Sequence, residues 1–419
     1  MKKIEIWDLK VGMYIRELDR PWLETPFLLQ GLWINSPGDL EEVKRYCKYV
    51  YIDPDKGRDV DDSDLALDGS DTYVTQTGGQ KPIKVEKPPA YKVHVRFEKE
   101  IDVAKNIHKQ AAHVVRNMYD DVRMGKSINT EGAKATVSSI VDSIIRNPDA
   151  QVWLTQLKDK DEYTAIHSLN VCILSLAFGR HLGFSREMLN ELGLGALLHD
   201  LGKIRVPGQV LNKPGKLTDD EFKLMKLHPV YGKQILSITN GLSPNIIDIA
   251  YSHHERMNGT GYPHGLNSDQ ISLYGRMVAI VDIYDAITSQ RVYHHGVHSM
   301  DAMKQLYELR RTDLDNKMVE QFIQCLGIYP VGSVVELACG AIGIVISINR
   351  ERRLKPKILL VMNEKKEFIT PTRIIDLAKF DSSKFGTQFD VKNVVQASVY
   401  RINILDYITP RSAIDQSVA

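Results

Sequence analysis

The spacing of apolar and polar residues divides the chain into four stretches. Residues 1–55 alternate short apolar runs with turn formers at Gly12, Gly31 and Pro37-Gly38. Within them Phe27–Ile34 reads as a strand, Asp39–Tyr46 as a short surface helix and Tyr49–Asp53 as a last strand. That predicts a small α+β domain. Across 56–90 large apolar residues become sparse. Asp59–Asp64, Thr75–Gly79 and Lys87–Pro89 are charged, polar or turn-prone, and such a segment buries too little surface to offset its ordering entropy. It is read as a linker or a poorly ordered loop. From 91 to 330 the period is helical. Ile101, Ala104, Ile107, His108, Ala111, Val114, Val115 and Met118 recur at three and four residues and predict a long helix over Ile101–Val122. A second spans Ala133–Ile145, stopped by Asn147-Pro148, and further helices run to about 327. They are punctuated by Gly183, Gly208, Pro214-Gly215, Pro229, Pro244 and the loop Asn258–Gly265. A helical bundle is the simplest assembly. Beyond Pro330 the period changes to two and β-branched residues dominate: Val334–Leu337, Ile342–Ile346 and Ile358–Val361, with Asn363–Lys366 as a turn. Residues 331–419 are expected to form a small β-rich appendage. No internal repeat is present.

Composition narrows the function classes. Lysine and arginine number 54 against 53 aspartates and glutamates. That balance argues against a nucleic-acid polymer as partner, where a basic excess is the usual footprint. A small anionic ligand needs only a local patch. The four cysteines, Cys47, Cys172, Cys325 and Cys339, lack metal-like spacing and fit a reducing cytosol. The longest apolar runs, Val171–Phe178 and Ile342–Ile348, are too short for a membrane span. The N-terminal residues lack the apolar core of a signal peptide. The expected location is the cytoplasm.

The chemistry is concentrated in seven side chains: His167, His199, Asp200, His228, His253, His254 and Asp282. Histidine and aspartate are common ligands of divalent transition metals. Taken singly, each has a plain alternative. His167 sits on an apolar segment, where a hydrogen-bonded core histidine is the common case. Asp200 could end a helix before Gly202, although a carboxylate after the apolar run Leu192–Leu198 needs a compensating cation or donors. His253-His254-Glu255 could be a solvated helix surface. All of them together leave those alternatives little room.

His199-Asp200-Leu201-Gly202-Lys203, followed by His253-His254-Glu255-Arg256-Met257-Asn258-Gly259-Thr260-Gly261-Tyr262-Pro263, resembles the HD-GYP family of cyclic dinucleotide phosphodiesterases. Tyr163-Thr164 with His167–Val171, His228-Pro229, and Val281–Ala286 with Arg291–Tyr293 resemble that family's flanking segments. The similarity covers roughly 150–330. The N-terminal residues Leu9–Tyr14, Leu18-Asp19, Trp22, Pro26-Phe27 and Ile52-Asp53 resemble the small uncharacterised domain often found before HD-GYP domains.

The resemblance implies a mostly α fold: an HD-type all-helical metal-dependent hydrolase bundle, flanked by the N-terminal α+β domain and the C-terminal β-rich appendage. It implies two divalent transition metal ions, iron or manganese, bridged by Asp200. His167, His199 and Asp282 would complete one ion's ligands, and His228, His253 and His254 the other's. A water between two such ions loses a proton near neutral pH and can attack a phosphodiester. Lys203 would meet the phosphate as a point charge. Gly261, Tyr262 and Pro263 would shape a loop against the substrate, with Tyr262 packing on a base or holding the loop. Arg291 would contact phosphate or guanine, and Glu255 would orient a metal-bound histidine from behind. Two departures stand out. His294 replaces a frequent Lys or Arg, and Asn258 replaces a frequent Asp. In some relatives a Glu one turn before the first histidine holds a third ion. Here that place is Tyr163, with Asp161 and Glu162 off the ligand face, so two ions are expected rather than three.

Three readings follow. The chain is an enzyme opening cyclic di-GMP or the hybrid cyclic GMP-AMP to a linear dinucleotide or mononucleotides. Alternatively it is a catalytically weak cyclic-dinucleotide receptor acting through protein partners, or an HD hydrolase of another substrate such as a nucleotide. Every ligand position is filled, which favours the first over the second, and the Gly-Tyr-Pro loop argues against the third. The metal, the base preference, and a homodimer or signalling partner are left open by the sequence.

Overall fold

The computed structural model describes residues 2–20, 32–34, 37–58, 91–156, 163–289, 297, 299–350, 352–380 and 386–407. The chain divides into two compact units, 1–73 and 74–419.

In the first unit, β1 (Lys2–Glu5), β2 (Tyr14–Leu18), β3 (Leu32–Trp33) and β4 (Tyr49–Ile52) form an antiparallel sheet in the order β1-β4-β2-β3, with α1 (Pro37–Tyr46) between β3 and β4. Alternate strand residues Ile4, Ile15, Val50 and Ile52 point inward and meet Met13, Ile34 and Val43. The expected α+β character is present. Most of the strand expected over Phe27–Ile34 lies outside the described residues, as does the expected linker beyond Arg58. Lys56–Arg58 fold back onto the unit, the Arg58 amide donating to the Gly12 carbonyl.

The second unit is built around helices. It runs through α2 (Phe97–Arg123), α3 (Thr130–Arg146), α4 (Pro148–Leu154), α5 (Tyr163–His181) and α6 (Arg186–Leu198). It continues with α7 (Gly208–Leu211), α8 (Asp219–Met225), α9 (His228–Ser237), α10 (Pro244–Ser252), α11 (Leu273–Thr288), α12 (Ser299–Leu309) and α13 (Asn316–Leu326). The sequence supplies the stops and starts. Asn147 both ends α3 and caps α4, its side chain accepting from the Asp149 amide beside Pro148. Ser185 and Ser272 cap α6 and α11 in the same way.

α5 is the central helix. Every residue from Ala165 to Arg180 is buried, as expected of a helix that is apolar all round. It packs on α6 and α11. The few polar side chains it carries inward therefore need partners. Ser168 meets the Tyr119 hydroxyl of α2 at 2.9 Å, and Arg180 donates to the carbonyls of Tyr91, Lys92 and Ile145. None of the described helices is long and apolar enough to cross a membrane.

After α13 the chain forms β5 (Val334–Leu337), β6 (Ile342–Ser347), β7 (Lys357–Met362), β8 (Phe368–Asp376) and β9 (Val391–Val395), antiparallel in the order β8-β7-β6-β5-β9. The expected turn at Asn363–Lys366 joins β7 to β8, with Lys366 left-handed at φ 64°. Periodicity missed β8 because Pro371 interrupts it. At a sheet edge the missing amide costs no ladder bond. This sheet shares one core with the helices: Val334, Ile344, Ile346 and Val361 pack with Phe97, Ile101 and Ala104 of α2 and with Trp153 and Leu154 of α4. α2, 27 residues long, thus rises about 40 Å from the sheet toward the bundle centre. Trp153, 1% exposed, meets Phe97 edge-on at 5.8 Å. Trp153→Ala is expected to destabilise this unit by about 3–5 kcal/mol, as read from the midpoint of denaturant unfolding.

Candidate metal centre

Helix ends deliver most of the seven side chains. His199 is the C-cap of α6, and Asp200 opens the 3-10 turn Leu201–Arg205. His253 is the C-cap of α10, with His254 next. His228 is the first residue of α9. His167 and Asp282 come from inside α5 and α11. Two helices therefore point their C-terminal, partially negative ends at one place, which favours cations there.

The seven meet in two sets, Asp200 with His228, His253 and His254, and His167 with His199 and Asp282. Within each set the donor atoms lie within 4.8 Å of one another. Asp200 faces both ways. Its Oδ1 lies 3.3 Å from His228 Nε2 and 3.8 Å from His253 Nε2. Its Oδ2 lies 3.4 Å from His199 Nε2 and 3.7 Å from His167 Nε2. Asp282 Oδ1 is 3.0 Å from His167 Nε2.

The outward ring nitrogens fix the tautomers. Nδ1 of His199, His228 and His253 each faces a backbone carbonyl, of Ala196 (2.7 Å), Met225 (2.8 Å) and Ala250 (3.1 Å). A carbonyl only accepts, so each Nδ1 carries a proton, and in the neutral ring Nε2 offers a lone pair inward. The Nε2 atoms of His228 and His253 are then two lone pairs 3.3 Å apart. Among the described residues, His199 Nε2 and Asp200 Oδ1 are buried without a hydrogen-bond partner. Such groups cost free energy unless something satisfies them. Divalent cations would satisfy all of them, so the donor set fits metal ions.

Electrostatics keep Asp200, His228, His253 and His254 in their ligating forms. Burial pushes the Asp200 carboxyl up, but Lys203, His199 and His228 outweigh it and hold it well below the usual range. Burial lowers His228 to about 4 and puts His253 and His254 well below the usual histidine value. Burial would also lower His167, but hydrogen bonds to Asp282 and Asp285 raise it to about 9. An ion would compete with the proton for that same Nε2 lone pair.

Lys203 Nζ donates to Asp200 Oδ2 at 2.5 Å. Gly261, Tyr262 and Pro263 lie in a loop beside His254, with the Tyr262 amide donating to the His254 carbonyl. Arg291 and His294 lie outside the described residues, as do Asp161 and Glu162. Tyr163 opens α5. Glu255 differs from expectation. Its carboxylate accepts from the amides of His264 (2.8 Å) and Leu266 (2.9 Å) and so ties down the loop rather than a histidine. Asn258 is an active replacement: its amide donates to Asp313, where an Asp would meet a like charge. Sequence reasoning missed Asp285, which accepts from His167 Nδ1 at 2.7 Å and from Asn170 and Ser289. Its position three residues after Asp282 puts it on the same helix face, which was the available signal.

A helical bundle whose helix ends gather a buried His/Asp cluster defines an HD-type hydrolase. The HD domain family model matches residues 150–318, and a domain of unknown function, DUF3391, matches 1–133. The cyclic di-GMP phosphodiesterase PA4108 of Pseudomonas aeruginosa is 36% identical over 90% of this chain and 89% of its own length. A cyclic di-GMP phosphodiesterase of Thermotoga maritima is 37% identical over 54% of this chain and 61% of its own. A 3'3'-cGAMP-specific phosphodiesterase of Vibrio cholerae is 36% identical over 41% of this chain and 37% of its own. The chain belongs to the HD-GYP family of phosphodiesterases, in the form that carries the DUF3391 domain at its N-terminus.

Gly202 sets how closely the two ligand-bearing segments approach. A Cβ there would sit 1.9 Å from the His228 carbonyl oxygen and 2.4 Å from the Gly232 amide nitrogen. Gly202→Ala must push Asp200 away from His228. The expected result is at least about a tenfold loss of metal affinity, roughly 1.4 kcal/mol, measured by chelator competition.

Proposed function

We propose that this chain hydrolyses a cyclic dinucleotide, cyclic di-GMP or the hybrid cyclic GMP-AMP, to a linear dinucleotide or mononucleotides at a two-ion centre. The observation that carries the reading is Asp200, whose two oxygens serve two separate histidine sets. The names of the relatives support the substrate class. Ions held by these residues would supply Lewis acidity toward a water and the phosphate. The mixed histidine and carboxylate donor set suits iron or manganese. Two ligand sets, each with its own histidines, support a count of two ions.

The chain's own groups do the rest. Asp200 holds the two sets in register. Lys203 balances that carboxylate and stands beside the phosphate's expected place. His254, with 16% of its side chain exposed, and Asp282, with 10%, form the solvent-facing edge. The dinucleotide would enter there, against the Gly261-Tyr262-Pro263 loop, with Arg291 and His294 as its further contacts. The receptor reading is the weaker one, because a protein that only binds has no need of seven converging ligands.

Turnover of both dinucleotides by the manganese- or iron-loaded protein is the direct test, and absence of hydrolysis with two ions bound would favour the receptor. Asp200→Ala is expected to abolish hydrolysis and lower bound metal. Lys203→Ala is expected to keep the metal while the rate falls about tenfold or more, ~1.4 kcal/mol of transition-state stabilisation.

We assign residues 1–55 a regulatory or docking role, because none of the proposed ligands lies there. Tyr91 is where the larger unit begins its own anchoring, its hydroxyl donating to the Phe184 carbonyl at 2.8 Å. A chain truncated to start at Tyr91 is expected to retain hydrolysis. A folded but inactive product would refute that assignment.

A further inference from the structure

We infer that Tyr262 is a positioning residue: its ring holds the His254 imidazole in the orientation that completes the Asp200–His228–His253 set, and it is not a platform for a substrate base. The inference rests on the two-ion reading above, but not on the identity of the substrate.

Four of the five histidines have a ring nitrogen fixed by a hydrogen bond. His167 is held by Asp285, His199 by the Ala196 carbonyl, His228 by the Met225 carbonyl and His253 by those of Ile249 and Ala250. His254 has no such bond among the described residues. Asp282 Oδ2 lies 3.9 Å from its Nδ1, beyond hydrogen-bond reach. It follows the C-cap of α10, keeps partial contact with solvent and, Tyr262 apart, meets only the rings of His253 (4.2 Å) and His228 (4.9 Å) among the described aromatic residues, both tilted or edge-on to it. A ligand free to rotate binds a metal poorly, because the ion must then order it.

The Tyr262 ring supplies the missing constraint. It stacks on His254 with centroids 4.7 Å apart and planes 29° from parallel. The other ring contacts of these histidines are steeper, from 44° to 89°. Tyr262 is itself well held. Its amide bonds to the His254 carbonyl. Gly261 before it presses on the backbone of Glu255 and Arg256, where a Cβ would come within 2.4 to 2.6 Å. Phe222 approaches edge-on at 6.5 Å, and the Lys226 ammonium lies 5.5 Å from the ring centroid. The ring thus already carries an imidazole and a cation. Its hydroxyl makes no hydrogen bond among the described residues, so the role lies in the ring.

The test uses the full chain loaded with manganese. Wild type, Tyr262→Phe and Tyr262→Leu are compared by ions retained against a graded chelator and by the paramagnetic resonance signal of a coupled ion pair. Wild type and Tyr262→Phe should hold two ions with a coupled signal. Tyr262→Leu should keep one and bind the other about tenfold or more weakly, its signal becoming that of single ions. Retention of both ions by Tyr262→Leu with a raised KM would overturn the inference and make Tyr262 a platform for the substrate rather than a support for His254. Loss of the second ion in Tyr262→Phe would also overturn it, by placing the role on the hydroxyl, and this arm decides even if Tyr262→Leu does not fold. A wild-type chain that binds no ion would refute the metal reading itself, before any variant is made.

Discussion

A carboxylate buried to 1% exposure at the junction of two helix ends is the constraint on which the larger unit depends. Asp200 cannot stay ionised in the interior without positive charge around it. The surrounding histidines are mostly held neutral by burial, and their lone pairs point inward. Lys203 and His167, the one histidine raised by its carboxylate partners, are two cations against three carboxylates, Asp200, Asp282 and Asp285. The arrangement is therefore short of positive charge unless cations join it. The converging helix C-termini, partially negative themselves, deepen that shortage, and the histidine and carboxylate donors are of the types that bind cations.

Holding such a cluster demands rigid walls, and the fold provides them through α5. Because α5 is buried on all sides, its polar residues are committed inward. His167 goes to the centre and Asn170 to Asp285 behind it. Ser168 meets Tyr119 of α2, the helix whose other end is packed into the C-terminal sheet. A sheet far along the sequence thereby shares one helix with the centre. Close approach at Gly202 does the equivalent work on the opposite side, seating the His-Asp turn directly on the first turn of α9.

The Gly-Tyr-Pro loop illustrates how a local motif acquires meaning from its surroundings. Glu255 follows the histidine pair directly, which suggests a role on those histidines. The backbone instead turns back so that Glu255 caps two amides of the loop. Loop and ligands are thus one structure, with His254 between them.

The sequence by itself determined the helical bundle and the β-rich end, because periods of 3.6 and two arise from local backbone geometry and need no knowledge of partners. It also singled out the seven donors, since their residue types and their family-like order are visible without coordinates. Boundaries were legible where a cap or proline marks them, as at Asn147-Pro148, and illegible at β8, where Pro371 is tolerated only because the strand lies at an edge. Which oxygen of Asp200 faces which histidines, why Gly202 has no room for a side chain, and that Asp285 rather than Glu255 backs a histidine were decided by tertiary structure alone. These are distances between segments remote in sequence, fixed by how α5, α9, α10 and α11 pack, and no local pattern encodes them.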